Sequence, residues 1–332
     1  MSNSASIKEY QYNGPLKDAI EAYIAEKRGM GLIYNSESKR LANFDRFTVA
    51  VDCKPNVLTK EVVLSWISRR DNECESTQNL RVILMRQFAF FMLRYGYEAY
   101  VLPDGYFKRP PSSFVPYIFT DEEIKRIYYQ ADHWKVASMS PHAGVVIPVM
   151  FKILFCCGLR FSEIRMLKVS DVDLENGVLS IVETKFDKNR LVPMSASITK
   201  LCCEYSKKMH LVSKDESIYF PNARGTAFSA TALYDIFRRL LWNAGISHGG
   251  KGKGPRFHDI RHTFAVHCLR NWVQNDFNIS SALPYLSAYL GHVGLKESQR
   301  YLRLTADLFP VINKVLEDKY AGIIPSIGGD FN

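Results

Sequence analysis

One stretch constrains the chain more than any other: Arg256 to Leu302, RFHDIRHTFAVHCLRNWVQNDFNISSALPYLSAYLGHVGLKESQRYL. It sets His258 and Arg261 one helical turn apart, puts His292 just past a Leu-Gly break, and places Tyr301 nine residues later. The spacing predicts a helix over about 259 to 273 that buries Phe264, Val266, Leu269 and Trp272. His258 and Arg261 are then left near its start, where the helix dipole favours an anion.

These residue types suit attack on a phosphodiester. Such an ester repels nucleophiles, and attack piles negative charge onto its non-bridging oxygens, which fixed cationic donors in a partly dry site stabilise best. Arginine stays charged and pairs two oxygens at once. Gly158-Leu-Arg160 supplies a second arginine, so Arg160 and Arg261 together cover both oxygens. A phenol attacking in line leaves an ester that keeps the bond energy for rejoining. Free tyrosine titrates near pH ~10, so Tyr301 needs cationic neighbours or a base, and His258, His292 and a lysine are the available helpers. Taken alone, Arg160 reads first as a surface ion-pair partner of Glu163. His262 and His267 read as satisfied core or surface histidines. The set as a whole implies DNA strand transfer without a metal.

The formal charge of +9 and pI near 9.1 point to an acidic polymer as partner, although many basic proteins bind no nucleic acid. Residues 1–112 hold 16 Lys/Arg against 13 Asp/Glu and the remainder 27 against 21, so both halves can meet a phosphate backbone. Seven cysteines form no CxxC pair and no Cys/His zinc spacing, and read as reduced thiols in a cytoplasm, nucleoid-associated when the chain is on DNA. The start, MSNSASIKEY, lacks the apolar core of a signal peptide. The longest apolar run, Val145 to Leu159, contains Pro148 and Lys152 and is too short for a bilayer, so a membrane role is not expected.

Along the chain, residues 13–98 read as four helices, with Pro15 near the start of the first and Thr59 as cap of the third. Arg69, Arg70, Arg81 and Arg86 read either as solvated helix faces or as phosphate contacts. Residues 99–117 carry four prolines and a glycine and read as an interdomain linker, whose Lys108-Arg109 pair can lie along nucleic acid. Thr120 and Glu123 form a capping box, and Gly158 suits a left-handed end to a buried helix. Val178 to Glu183 and Arg190 to Met194 predict a hairpin around Lys185-Phe-Asp-Lys-Asn. A lysine at a hairpin tip is normally just solvated. If the tip dips into a substrate groove, Lys185 can hand a proton to a departing 5′ oxygen. The Gly-Lys loop with Lys251 and Lys253 reads as a linker or as a segment that orders on DNA. A last apolar stripe, Leu308 to Leu316 within Ala306 to Tyr320, folds back on its own domain or docks on a neighbouring subunit, the latter slightly favoured.

Lined up in order, Gly158-Leu-Arg160-Phe-Ser-Glu163, His258-Asp-Ile-Arg261-His262 and Leu290-Gly-His292 followed by Tyr301 resemble the tyrosine recombinase family, which includes Xer proteins, phage integrases and transposon-encoded integrases. The likeness covers roughly residues 115–305 by motif. It implies a mainly α fold with a small β-sheet: a helical core-binding domain (1–98), a linker (99–117) and a catalytic domain with a C-terminal helix (118–332), arranged as a C-shaped clamp. It implies Arg160 and Arg261 as phosphate clamp, His258 as proton manager, His292 as phosphate donor, Tyr301 as nucleophile, Glu163 in support and Lys185 as the hairpin lysine, with Lys188 competing. Arg69, Arg70, Arg86, Lys108, Arg109, Lys251 and Lys253 are the expected DNA contacts. The resemblance further implies a 3′-phosphotyrosyl link, no metal or other cofactor, double-stranded DNA as partner, and a tetramer on two DNA sites.

Two departures refine this. The 30 residues between Arg261 and His292 exceed the short connection of typical Xer proteins; Asn271 to Ser287 read as an added turn, which leans toward a mobile-element integrase. Upstream of residue 13 there is no room for an arm-binding domain, which suggests a recombinase reading only a core site. The rivals are topoisomerase-like relaxation, a non-catalytic DNA-binding protein and a metal-dependent nuclease; the last lacks an acidic cluster with ligand spacing. Target sequence, accessory proteins and the choice among integration, excision and dimer resolution are not written in the motifs.

Overall fold

The computed structural model describes residues 7–106, 115–135, 140–182, 189–250, 254–292 and 301. Lys108, Arg109, Lys185, Lys188, Lys251, Lys253 and the stripe from Ala306 lie outside the described residues. The chain divides into two compact units, Met1–Ser113 and Phe114–Asn332.

The first unit holds four helices, α1 (Lys17–Gly29), α2 (Asn35–Ala50), α3 (Lys60–Ile67) and α4 (Glu75–Arg94). Thr59 caps α3 by accepting the Val62 amide, which satisfies one of the helix's orphan donors. Leu16, Ile20 and Tyr23 of the α1 region meet Phe44, Trp66, Phe88 and Phe91, so aromatic rings from every helix close one core. Val57–Leu58 (β1) pairs in parallel with Glu98–Ala99 (β2), and Leu102 is buried on the same core. Residues 99–102, at the head of the stretch expected to be a linker, therefore pack into this unit.

Arg81 is neither of the two things expected of it, a solvated helix face or a phosphate contact. It is buried, with Nε on Glu73 at 2.9 Å, Nη2 on the Ser68 carbonyl at 2.9 Å and Nη1 on the Trp66 carbonyl. A guanidinium this deep is kept inside because its donors finish the end of α3.

The second unit begins with α5 (Asp121–Asp132), opened by the reciprocal Thr120 and Glu123 capping box. Then comes α6 (Ala143–Cys157), whose side chains are almost all buried and which forms the centre of the unit. Each such burial is worth roughly 1.5–3 kcal/mol, so the run fixes the position of everything packed on it. Next are α7 (Phe161–Met166) and an antiparallel three-stranded sheet of β3 (Val172–Asp173), β4 (Val178–Ile181) and β5 (Arg190–Pro193). Leu179 faces Val192 and Ile181 faces Arg190, so the two expected strands pair antiparallel. α8 (Ala196–Met209), α9 (Ala230–Asn243), α10 (Asp259–Gln274) and α11 (Ile279–Leu290) complete the described elements.

α11 corrects the expectation for Asn271 to Ser287, which are no added turn. They comprise the end of α10, a short connection and most of a helix capped by Asn278 through the Ser281 amide. Leu283, Leu286 and Leu290 pack on Ala265, Val266 and Leu269 of α10, and this shared face makes the segment helical. No described helix is long and apolar enough to cross a membrane.

Candidate active site

Two helix ends organise the site. α6 ends at Gly158 (φ +57°) and α11 at Gly291 (φ +65°), both in the left-handed region. Such ends leave carbonyl oxygens without intrahelical donors, and these attract cations. Arg261 uses both ends: it donates to the Gly158 carbonyl at 3.1 Å and to the Leu290 carbonyl. Arg160 donates to the Gly291 carbonyl at 2.6 Å and to Glu163 at 2.9 Å. The arginines, 101 positions apart in sequence, are thereby tied to one pair of helix termini. Arg261 is 1 % exposed. Burial pushes it down to about 10, Arg160 adds to this, and Glu163 and Tyr301 oppose it; it stays a cation at neutral pH.

The reading of Arg160 as an ion-pair partner of Glu163 and as a member of the cluster are both met by one geometry. Glu163 lies in the first turn of α7 and accepts the Arg160 backbone N–H at 2.7 Å. Sequence reasoning missed Arg190, which sends Nη1 and Nη2 to the two oxygens of Glu163 at 2.8 and 2.7 Å. Burial raises the Glu163 carboxyl, but the hydrogen bonds and charges of Arg190 and Arg160 outweigh it and hold the group below its ordinary value. Two guanidinium groups thus share one carboxylate, and with Arg261 nearby the arginines outnumber it.

The histidines line the same place. His258 stands at the mouth of α10, its ring 4.7 Å from that of His262. His292 follows Gly291 directly, so the left-handed turn of α11 aims it; its ring stacks 5.9 Å from Tyr301. His262 lies 5.5 Å from Tyr301, so it belongs with the cluster rather than with the remote core or surface. The signal was its place one residue after Arg261, near the start of a helix whose first turn faces the site. His267, by contrast, meets the Phe119 carbonyl at 3.1 Å and Asp121 at 3.5 Å, as a satisfied structural histidine does.

Burial, then Arg261 and Arg160, lowers the His258 pKa, against a smaller pull from Glu163. His292 is pushed down to about 4 by burial, then by Arg261, Arg160, Arg190 and His258. Both rings are therefore neutral at pH 7, able to take a proton or to donate one N–H. Tyr301 is 3 % exposed and packs with Leu283, Leu286 and Leu290, its ring presented to His262 and His292. Chemically, the arrangement can bind an anion between two arginines and offer it a phenol flanked by neutral imidazoles.

The model of the phage integrase family matches residues 118–307, more than half of the chain. The chain belongs to the phage integrase family. This integrase-family chain is 30 % identical to a candidate integrase/recombinase, y4rB, of Sinorhizobium fredii (strain NBRC 101917 / NGR234), over 92 % of the chain and 98 % of the relative. It is 29 % identical to the tyrosine recombinase XerD of Proteus mirabilis over half of each protein. Among solved structures, the XerH site-specific recombinase bound to palindromic difH substrate matches with TM-score 0.60 and 20 % identity, covering 91 % of this chain and 83 % of the other. The Tn1549 transposon integrase in complex with a circular intermediate DNA gives TM-score 0.60 and 17 % identity, at 85 % and 94 % coverage. The fold is that of the tyrosine recombinases, and the chain is an enzyme of that class, which breaks and rejoins DNA strands.

In the first unit, Arg69 is exposed and Arg70 stacks over Trp66 at 4.7 Å. Arg70 lines a cleft of about 330 Å³ with Glu73 and with Lys39 and Arg40, two basic residues of α2 that the sequence reading passed over. Arg86 pairs with Asp104 and lies over Phe90, so its charge is partly spent within the unit.

Proposed function

We propose that the chain is a site-specific recombinase of double-stranded DNA that integrates or excises a mobile element through a 3′-phosphotyrosyl intermediate. The observation that carries this is that Arg160 and Arg261 are held on the ends of α6 and α11, within electrostatic reach of His258 and beside His292, whose ring stacks on that of Tyr301. Arg160 and Arg261 bind the non-bridging oxygens of the scissile phosphate. The Tyr301 oxygen attacks phosphorus, its proton passes to His258, and the bond to the 5′ oxygen breaks. Lys185 supplies the proton that this leaving oxygen needs, with Lys188 as the alternative, while His292 donates to the phosphate. The 5′ hydroxyl of a partner strand then attacks the phosphotyrosine and restores both the diester and the phenol.

The mobile-element assignment is supported by the name of the Sinorhizobium relative, an integrase/recombinase. Strand exchange between two sites calls for four protomers, with the segment from Ala306 as a link. In the first unit, the basic cleft at Arg40 and Arg70 suits a phosphate backbone; Arg69, Arg86, Lys108, Arg109, Lys251 and Lys253 are further contacts of this reading. Residues 1–98 are the core-binding part and residues 118–332 the catalytic part.

Covalently trapped DNA is the test. Cells producing the chain are lysed in SDS, protein-linked DNA is recovered, and the junctions are sequenced. Wild-type protein should enrich one short sequence at mobile-element ends, and Tyr301→Phe should recover none. Equal recovery from both proteins would reject the mechanism; enrichment at a chromosomal dimer-resolution site would reject the mobile-element role alone.

A further inference from the structure

We propose that Arg190 is a positioning residue of the phosphate clamp: it holds and neutralises Glu163, so that Arg160 keeps both its aim and its charge for the substrate. This rests on the clamp reading above. Arg190 opens β5, and its side chain is 9 % exposed against 7 % for Glu163. Both oxygens of that carboxylate are shared between two arginines. Oε1 accepts Arg160 Nη1 at 2.9 Å and Arg190 Nη1 at 2.8 Å, while Oε2 accepts the Arg160 backbone N–H and Arg190 Nη2, each at 2.7 Å. Arg190 Nε also donates to the Tyr289 carbonyl at 2.9 Å, two residues before Gly291, whose own carbonyl takes Arg160. The stem of Arg190 lies so close to Gly291 that a Cβ there would meet its Cδ at 3.0 Å. One side chain therefore ties the sheet, α7 and the end of α11 to the same arginine.

The charges make the arrangement purposeful. A lone carboxylate facing Arg160 forms a one-to-one pair, and such a pair has little attraction left for a phosphate. A second, bidentate guanidinium takes up part of the charge of Glu163, so that this carboxylate cancels less of the charge of Arg160. A buried ion pair is weak evidence for stability alone, because desolvation offsets its attraction. Here the pair stands where it sets the field of the site.

The test uses full-length protein on the DNA site recovered by trapping, with R190Q, R190K, E163Q and the E163Q/R190Q double variant. Single-turnover cleavage and DNA affinity are measured separately, and folding is checked by circular dichroism. R190Q should slow cleavage roughly tenfold or more, short of the 10²–10³-fold of losing a direct donor, while affinity changes less than about threefold. R190K keeps the charge without the fork, and should fall between wild type and R190Q. The double variant, relieved of the uncompensated carboxylate, should cleave faster than R190Q. Should R190Q fail to fold, R190K decides by the same comparison. Wild-type cleavage in R190Q or R190K, or a double variant as slow as the product of the single losses, overturns the proposal. Absence of any adduct from wild type sinks the clamp reading and this proposal together; an adduct with an unchanged R190Q rate sinks this proposal alone.

Discussion

The buried guanidinium of Arg261 donates at 3.1 Å to the carbonyl of Gly158, joining the first turn of α10 to the left-handed end of α6. Gly158 has no space for a side chain, since an added Cβ would lie 2.4 Å from a ring carbon of Phe264. Gly158→Ala should therefore lose about 1–2 kcal/mol from the left-handed backbone and about 1–3 kcal/mol from overpacking. Because the displaced carbonyl carries Arg261 with it, cleavage should fall more than affinity does. Urea denaturation and single-turnover cleavage check the two parts.

Arg261→Lys preserves the charge but cannot reach the Gly158 and Leu290 carbonyls and a phosphate together. Cleavage should drop on the order of 10²–10³-fold, as for loss of one preorganised donor, with DNA retention nearly intact. A rate within a few-fold of wild type would show that Arg261 bears only on packing.

Acid should destabilise the free protein through its site histidines. His292, at about 4, and His258, also lowered, stay neutral in the fold, whereas in the unfolded chain they take protons near pH ~6.5. The unfolded state then binds more protons, so the histidine contribution is fully present above pH ~6.5 and is lost as pH falls toward about 4. NMR titration of the His292 ring should report its midpoint near 4, moving upward when inorganic phosphate occupies the clamp. Denaturation midpoints at pH 7 and 5 should converge in His292→Asn.

Much of this was legible because it is local. The Thr120 and Glu123 box, the Thr59 cap and the Gly158 ending all depend on residues a few positions apart. The Arg190 contact with Glu163 spans 27 positions and follows from the register of a sheet, so no spacing rule announces it. Arg81 was misread because a helical arginine looks alike whether it faces water or caps a neighbouring helix. The segment after Asn271 was misread because its apolar residues become a helical face only once Ala265 and Leu269 of α10 lie opposite.

In the first unit, Arg70 and Arg81 should separate binding from folding. Arg70→Ala should weaken DNA binding and reduce the salt slope by about 1 if, as proposed, it makes one phosphate contact. Arg81→Ala strips a buried pair with Glu73 of one partner and should cost roughly 3–5 kcal/mol of stability. Salt-titrated binding and thermal melting distinguish them.

The phenol of Tyr301 as nucleophile is tested most directly by mapping the covalent bond. Protein is incubated in EDTA with a nicked form of its recovered site, digested with protease and nuclease, and the nucleotide-bearing peptide is sequenced by mass spectrometry. A single nucleotide joined through its 3′ phosphate to Tyr301 is the predicted result. A nucleotide on any other residue, or a reaction that stops when metal is chelated, would contradict it.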